Sequence, residues 1–233
     1  MPLSDKQIIF YAEHYGIITP FAREQVKRLE NGRSAISYGT SSYGYDMRLA
    51  DTDLRVLYPP TLGTDWRTHP PLDPKDIDPS LFTAVKPEEG ENGRFITIPP
   101  NSFALGHTVE YFNIPRSIVT IAIGKSTYAR IGVIPHITPF EPEWCGHATL
   151  EISNTTPLPA RVYVNEGIAQ LLFLRGDEIC LTPYDLADSS PDAYPTLRAN
   201  GRIVYLGQGT YHTVNGVAQV GQDVRHFWRW AEK

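Results

Sequence analysis

The spacing of apolar and polar residues divides the chain into a helical start and a long region of short strands. Ser4 and Gln7 have the spacing of a capping box, and apolar residues at helical spacing follow them, which predicts a short helix ending near Gly16. Residues 21–29 are amphipathic at the helical period as well, so a second helix closed by an Asn-Gly pair is predicted. We therefore expect a helical segment over residues 1–33.

From residue 34 onward, apolar residues alternate with polar ones or form short runs bounded by proline and glycine, as is typical of strands. We predict an all-β barrel or sandwich with almost no helix after residue 32. The chain is expected to be a single domain, with a β core over 34–184 and a tail over 185–233. Residues 59–92 and 185–200 are predicted to be loops. The predicted strands are residues 42–49, 54–58, 95–98, 103–111, 118–123, 147–153, 160–164, 168–174 and 202–206.

The composition is that of a globular protein, and it narrows the classes of partner. Of 233 residues, 41% are hydrophobic and 20% are charged, and the formal net charge is -5. An acidic chain without a dense Lys/Arg patch argues against nucleic acid as the main partner. The 2 cysteines give no disulfide framework, and neither a signal-peptide pattern nor a membrane-spanning apolar run occurs. We predict a cytoplasmic protein that does not bind membranes.

Titratable side chains are concentrated in residues 124–154, between apolar segments that are predicted to be strands. Glu151 is on the polar face of one such strand, where a rigid element would present its carboxylate as a general base. The ordinary alternative is a solvated or ion-paired surface glutamate. Lys125, Ser126 and Arg130 lie where a strand gives way to a polar turn, which offers either a cation and backbone amides to phosphate or simply a turn. His136 and His147 are assigned to structure or to a pocket wall.

Known metal and nucleotide motifs are missing from the sequence. A zinc-dependent deaminase needs His-x-Glu followed by Pro-Cys-x-x-Cys, and neither pattern occurs. The histidines lack the spacings of a zincin or a zinc finger. There is also no Walker loop, no G-x-S-x-G motif and no dinucleotide fingerprint. We predict that the protein has no zinc site.

Several motifs in a fixed order resemble the dCTP deaminase branch of the dUTPase-like superfamily. The likeness extends from the N-terminus to about Tyr184, and the order of the motifs makes it more specific than any one of them. The motifs are SSYGYDMRL, LDPKDIDPSLF, IPPNSFALGHTVEYF, GKSTYAR, HITPFEPEW and GHATLEISNTTPLPARVYVNEGIAQLLFL.

This resemblance implies a β-clip fold, which is a distorted β-barrel, in a single dUTPase-like domain. It implies a homotrimer with active sites between subunits, and Mg²⁺ that arrives with the triphosphate. The implied reaction is the hydrolytic deamination of dCTP to dUTP and ammonia without zinc.

The resemblance also assigns roles to residues. Glu151 matches the catalytic glutamate, and Ser126 and Arg130 match the other catalytic positions. Lys125–Arg130 would bind the nucleotide and its phosphates, and Glu141 with residues 149–151 would line the base and sugar pocket. The substrate-binding set is Lys125, Ser126, Thr127, Tyr128, Ala129, Arg130, Glu141, Thr149, Leu150, Glu151, Tyr184 and Gln208.

Two motifs depart from the family pattern. Where the family commonly has Asp-Pro-Gly-Trp, this chain has Glu-Pro-Glu-Trp at residues 141–144. Where the family has Lys-Tyr-x-x-Gln near its C-terminus, the nearest match is residues 204–208, and Val204 cannot supply the cation. An adjacent Arg130 would lower the pKa of Glu151 and burial would raise it, and the sequence leaves that balance open.

Two other functions fit the same superfamily. One is a dUTP diphosphatase, or a bifunctional enzyme that carries dCTP through to dUMP. The other is a trimer that senses nucleotides without catalysis, which Val204 and the unmatched residues 209–233 suggest.

Overall fold

The protein is mainly β, as predicted, with a short N-terminal helix. The computed structural model describes residues 1–58, 71–76, 78–181 and 184, and beyond these only the backbone of four short strands between 197 and 220. The helices are α1 Asp5–Tyr15, α2 Ser126–Ala129 and a 3-10 turn over Pro79–Leu81. The strands are β1 Ile18–Thr19, β2 Val26–Arg28, β3 Ser34–Ser41, β4 Gly44–Arg48, β5 Leu54–Leu57, β6 Phe82–Val85, β7 Glu88–Gly90, β8 Gly93–Ile98, β9 Ser102–Asn113, β10 Ile118–Gly124, β11 Val133–His136, β12 Cys145–Asn154, β13 Ala160–Tyr163, β14 Gly167–Arg175, β15 Leu197–Ala199, β16 Arg202–Val204, β17 Tyr211–Val214 and β18 Val217–Val220.

The first predicted helix is confirmed. The Gln7 side chain accepts a hydrogen bond from the Ser4 amide at 3.0 Å, which is the reciprocal half of a capping box. Gly16 ends the helix at φ 63°, and its amide donates to the Ala12 carbonyl. Within the described residues, no helix is long and apolar enough to cross a membrane.

The predicted second helix over 21–29 is wrong. Residues 26–28 form β2, in which Val26 pairs with Tyr38 of β3. Helical spacing of apolar residues is a weak local preference, and pairing with a neighbouring strand overrides it here.

Two larger sheets enclose the core. A 6-stranded sheet has the order β11-β12-β9-β5-β6, with β1 paired to β9, and a 5-stranded sheet has the order β10-β14-β4-β3-β2. Buried side chains from both sheets, such as Leu150 and Ile152 from one and Met47 and Phe173 from the other, belong to one hydrophobic cluster. A smaller sheet of β13, β8 and β7 adds Ile96, Ile98 and Val162 to this cluster.

The predicted loops are only partly correct. Within 59–92, residues 82–85 and 88–90 form β6 and β7, and residues 59–70 lie outside the described part of the chain. Within 185–200, residues 197–199 form β15, which pairs with β16. These strands are only three or four residues long, so their sequence pattern is too short to distinguish from that of a loop.

The predicted strands are confirmed where the structure describes them, although the chain turns at Ser42-Tyr43 before β4 begins. The last predicted strand, 202–206, is present over 202–204, and residues 205 and 206 lie outside the described part. The division into one domain with a tail from residue 185 stays a prediction.

Candidate active site

Glu151 lies on β12, which is flanked on both sides in the 6-stranded sheet. Leu105 of β9 is its partner on one side, and His136 of β11 is its partner on the other. Leu150 and Ile152 on either side of it are fully buried, so the Glu151 side chain is on the opposite face of the sheet. The predicted alternation of this strand is confirmed.

The environment of Glu151 favours the protonated form of its carboxyl group. Burial raises the pKa of Glu151 to about 7, and a hydrogen bond from its own backbone opposes this shift. Arg130 is exposed and is not among the groups that shift this pKa within the chain. The sequence left open whether burial or Arg130 decides the pKa of Glu151. Within one chain, burial decides it.

An irregularity in β9 lies close to Glu151. His147 of β12 pairs with Tyr111, but Thr149 pairs with His107, so residues 108–110 bulge opposite Ala148. The Thr108 hydroxyl accepts a hydrogen bond from the Ala148 amide at 2.9 Å and donates to the Glu110 carbonyl at 2.7 Å. Thr108 is fully buried, so its hydroxyl holds the two strands together where their regular ladder is interrupted.

The bulge also carries a buried ion pair that the sequence did not reveal. The Glu110 carboxylate, fully buried, accepts hydrogen bonds from the Arg48 side chain at 2.7 Å and from the Arg48 amide at 2.9 Å. No sequence signal pointed to it, because Glu110 occupies one of the small or polar positions that alternate with the larger residues of β9.

His147 has structural contacts, in line with its assignment, and His107 shares them. Each ring places Nδ1 3.0 Å from the Thr108 carbonyl oxygen, and the two rings meet edge to face with centroids 5.6 Å apart. Burial lowers the pKa of His107. In the described part of the chain, no three His, Cys, Asp or Glu side chains converge on a point that could hold a metal ion.

The segment Lys125–Arg130 forms α2 and its caps, and its side chains point in two directions. Ser126, Thr127, Ala129 and Arg130 are exposed, so they are open to a ligand. Tyr128 is buried, and its phenol oxygen accepts a hydrogen bond from the Tyr163 amide at 2.9 Å. In this segment, therefore, the Tyr128 side chain serves packing and cannot contact a ligand directly.

This segment lies next to the edge of the sheet that carries Glu151. Gly124, which precedes it, packs so closely on Pro135 that an added Cβ would lie 3.0 Å from the proline Cδ. Pro135 pairs with Ile152, one residue from Glu151. The fold thus places the start of α2 beside β11, the edge strand that pairs with the strand of Glu151.

Lys125 is tied to a buried carboxylate. Its Nζ lies 2.6 Å from Asp46 Oδ2 and donates to Ser37 Oγ at 3.1 Å. Sequence reasoning missed Asp46, although a charged residue between the apolar Tyr45 and Met47 in a strand was a signal that a partner must exist.

Glu141 and Tyr184 are close together at a turn. The Glu141 carbonyl accepts from the Trp144 amide at 3.1 Å, and the Pro142 carbonyl accepts from the Tyr184 amide at 2.9 Å. Glu143 has φ 65°, a left-handed conformation that favours glycine, and it occupies the place of the family's Gly. Glu143 therefore has a backbone conformation that a glycine would adopt with less strain.

The remaining predicted contacts differ in accessibility. Thr149 is half-buried on the same face of β12 as Glu151. The Leu150 side chain is in the core, so only its backbone is available to a ligand. Gln208 lies outside the described residues.

Comparison with known proteins shows which family the chain belongs to. Residues 2–176 match the family model described as dCTP deaminase-like, and the chain belongs to this family. A dCTP deaminase from Paraburkholderia xenovorans (strain LB400) is 54% identical over 181 residues, which cover 78% of this chain and 88% of that relative. A dCTP deaminase from Thiobacillus denitrificans is 55% identical with the same coverage. A crystal structure of 2′-deoxycytidine 5′-triphosphate deaminase from Agrobacterium tumefaciens matches 75% of this chain and 48% of that chain at 15% identity and a TM-score of 0.49.

Proposed function

We propose that this protein hydrolyses dCTP to dUTP and ammonia, with Glu151 as the general base. The observation that carries the proposal is the position of Glu151 inside the region shared with proteins named dCTP deaminase. There it is held by neighbouring strands on both sides, and burial raises its pKa to about 7. A general base is most effective when its pKa is close to the working pH.

The reaction needs a group that takes up and returns protons. Water attacks the amine-bearing carbon of cytosine, and its proton passes to the Glu151 carboxylate. The ring nitrogen receives a proton as the tetrahedral centre forms, and the amine receives another as the carbon–nitrogen bond breaks. Overall, dCTP and water give dUTP and ammonia, and one carboxylate serves every transfer. Ser126 and Arg130 are proposed to position the water and the base.

The nucleotide would occupy the surface between α2 and the Glu141 turn. The exposed Ser126, Thr127 and Arg130 side chains and the backbone of their segment are proposed to bind the phosphates and the nucleotide. Thr149 and the backbone of Leu150 are proposed to meet the base, and Glu141 the sugar. Tyr184 and Gln208 complete the proposed set.

Magnesium is proposed to arrive with the triphosphate, and zinc is proposed to take no part. Mg²⁺ keeps several waters and takes phosphate oxygens readily, so it needs few protein ligands. The exposed hydroxyls of Ser126 and Thr127 fit a surface that binds phosphates without supplying a metal cage. No residue of the chain is assigned to the ion.

We also propose that the protein is a homotrimer with active sites between subunits. Ile121 and Ile123 are 41% and 50% exposed on the edge strand β10. Ile121 pairs with Leu172, which is half-buried on the same outer face. Ile131 and Ile134 are also exposed, close to this edge. Apolar side chains grouped on a sheet edge are typical of surfaces that another subunit covers.

Sedimentation of Ile121→Asp and Ile123→Asp tests the assembly, because a buried charge at the interface would dissociate it. Tyr15→Asp, at a position that is 61% exposed on α1, which packs on β3 and β4, is the matched control. We expect smaller species only for the two edge variants. An unchanged trimer in both would contradict this interface.

The function is tested by incubating the purified protein with dCTP and Mg²⁺ and resolving the products. We expect dUTP and ammonia in equal amounts. Formation of dUMP and pyrophosphate would favour the diphosphatase or bifunctional alternative, and nucleotide binding without any product would favour a sensing role. A cytoplasmic location also remains our proposal, and Cys145 and Cys180, neither of which is in a disulfide, are consistent with a reducing compartment.

A further inference from the structure

Asp46 and Lys125 form the least exposed lysine–carboxylate ion pair that the described residues contain. Their charged atoms are 2.6 Å apart, and the side chains are only 3% and 11% exposed. Asp46 is on β4 in the 5-stranded sheet, and Lys125 is the N-cap residue of α2. The pair therefore joins a central strand to the start of the exposed segment.

Both oxygens of the Asp46 carboxylate are fixed by side-chain donors. Oδ2 accepts from Gln25 Nε2 at 3.1 Å as well as from Lys125, and Oδ1 accepts from Gln170 Nε2 at 3.2 Å. Gln170 in turn contacts Ser41 Oγ at 3.0 Å. A buried carboxylate with this many donors is held in one orientation, so it defines where the lysine ammonium must lie.

The lysine side chain has correspondingly little freedom. A lysine normally keeps its ammonium group in water and samples several rotamers. The Lys125 side chain does neither, because its ammonium group is buried against Asp46. Because Lys125 points inward, the adjacent Ser126 and Thr127 point outward. At the other end of the same short helix, Tyr128 is fixed through the Tyr163 amide.

We propose that Asp46 is a positioning residue, which fixes Lys125 and so holds the segment 125–130 in the conformation that binds nucleotide. This inference rests on the proposed function of that segment, and it assigns Lys125 to anchoring the segment. Removing the carboxylate loosens the start of α2 and displaces Ser126 and Arg130 from their working positions, although Asp46 touches neither substrate nor reacting atoms.

The alternative role for Lys125 is direct contact with phosphate, and the two roles predict different variant patterns. If the pair acts as one unit, Asp46→Asn, Lys125→Met and the double variant lose similar activity, because either single change already breaks the unit. If the lysine binds phosphate itself, Lys125→Met loses activity while Asp46→Asn, which frees the ammonium, does not.

The test uses the full-length protein with these three variants and Asp51→Asn as the matched control. Asp51 is also an ion-paired aspartate, 2.5 Å from Arg94, and it lies in the loop between β4 and β5. Steady-state kinetics with dCTP is measured below the unfolding temperature of every variant. Amide hydrogen exchange of residues 125–131 is measured without nucleotide.

We expect kcat/KM to fall at least tenfold, with a rise in KM, in all three pair variants and to stay within twofold in Asp51→Asn. Exchange in residues 125–131 should be at least fivefold faster in the same three variants. Lys125→Met reports on the anchor even if Asp46→Asn does not fold. Unchanged exchange in Lys125→Met, or tenfold loss confined to Lys125→Met, would overturn the proposal. If the parent protein turns over no dCTP, the proposed function fails, and the exchange rates still decide whether the anchor exists.

Discussion

Glu151 and His136 face each other directly across β12 and β11. Opposite residues of an antiparallel pair share one face of the sheet with Cβ atoms about 4.5–5.5 Å apart. His136 is exposed at the sheet edge, whereas Glu151 is half-buried. The proposed base therefore has an imidazole as its neighbour on the solvent side, although sequence reasoning gave His136 no part in the chemistry.

This neighbour should affect the pH dependence of the reaction. The His136 side chain lies on the solvent side of Glu151, so replacing it with alanine opens the carboxyl group to water. Because burial is what raises the pKa of Glu151, we expect His136→Ala to move the acid limb of the kcat/KM profile to lower pH. His14→Ala, an exposed histidine on α1, should leave the profile in place. Profiles that coincide for His136→Ala and the parent would show that the two side chains do not interact.

The raised pKa of Glu151 makes a prediction about stability. The folded protein holds this proton up to about pH 7, whereas the unfolded chain releases it near the ordinary glutamate pKa of 4.5. Stability therefore falls as pH rises from about 4.5 to about 7, by at most about 3 kcal/mol. Glu151→Gln removes this loss, so its free energy of unfolding should exceed that of the parent at pH 8 and match it at about pH 4.

Urea unfolding at the two pH values measures this difference. Glu91→Gln is the matched control, because Glu91 is exposed in a turn, and its difference from the parent should not depend on pH. A constant difference between Glu151→Gln and the parent at both pH values would mean that Glu151 is not desolvated in the folded protein.

The Thr108 hydroxyl should matter for both stability and turnover. Thr108→Val leaves the Ala148 amide without its acceptor, which costs about 1–3 kcal/mol. Ala148, which lies opposite the bulge, is three residues from Glu151 along β12. We therefore also expect kcat to fall at least fivefold. Thr40→Val is the control: Thr40 is buried in the other large sheet, where its hydroxyl donates to the Ala22 carbonyl at 3.0 Å.

Urea unfolding and kcat for dCTP are measured on both threonine variants. Thr40→Val should lose stability but keep kcat within twofold of the parent. Equal kcat values in the two variants would show that the bulge does not contribute to catalysis.

The sequence predicts the elements that have a strong local pattern. The alternation of residues 147–153 predicts β12 and the face of Glu151, because a strand with one buried face must repeat every two residues. β11 has no such signal: it has four residues and contains Pro135, which argues against a strand except at an edge. The pairing of His136 with Glu151 therefore required the structure.

The contacts between individual side chains were harder to predict than the strands and helices. Asp46 and Lys125 are 79 positions apart in the chain, and only the order of β10, β14 and β4 in the sheet brings them together. The same holds for Thr108 and Ala148, whose contact depends on a bulge. Local spacing does not contain such tertiary information, whereas the family motifs located the segment 125–130 and Glu151 without it.

The most direct test of the central claim is to measure ammonia release from dCTP by the parent and by Glu151→Gln, together with dCTP binding to each. Gln keeps the size of the side chain but cannot accept the proton from water. We predict that the parent releases ammonia and dUTP in equal amounts, and that Glu151→Gln binds dCTP within about tenfold of the parent while its turnover falls at least a thousandfold. Near-normal turnover by Glu151→Gln would contradict the assignment of Glu151 as the base.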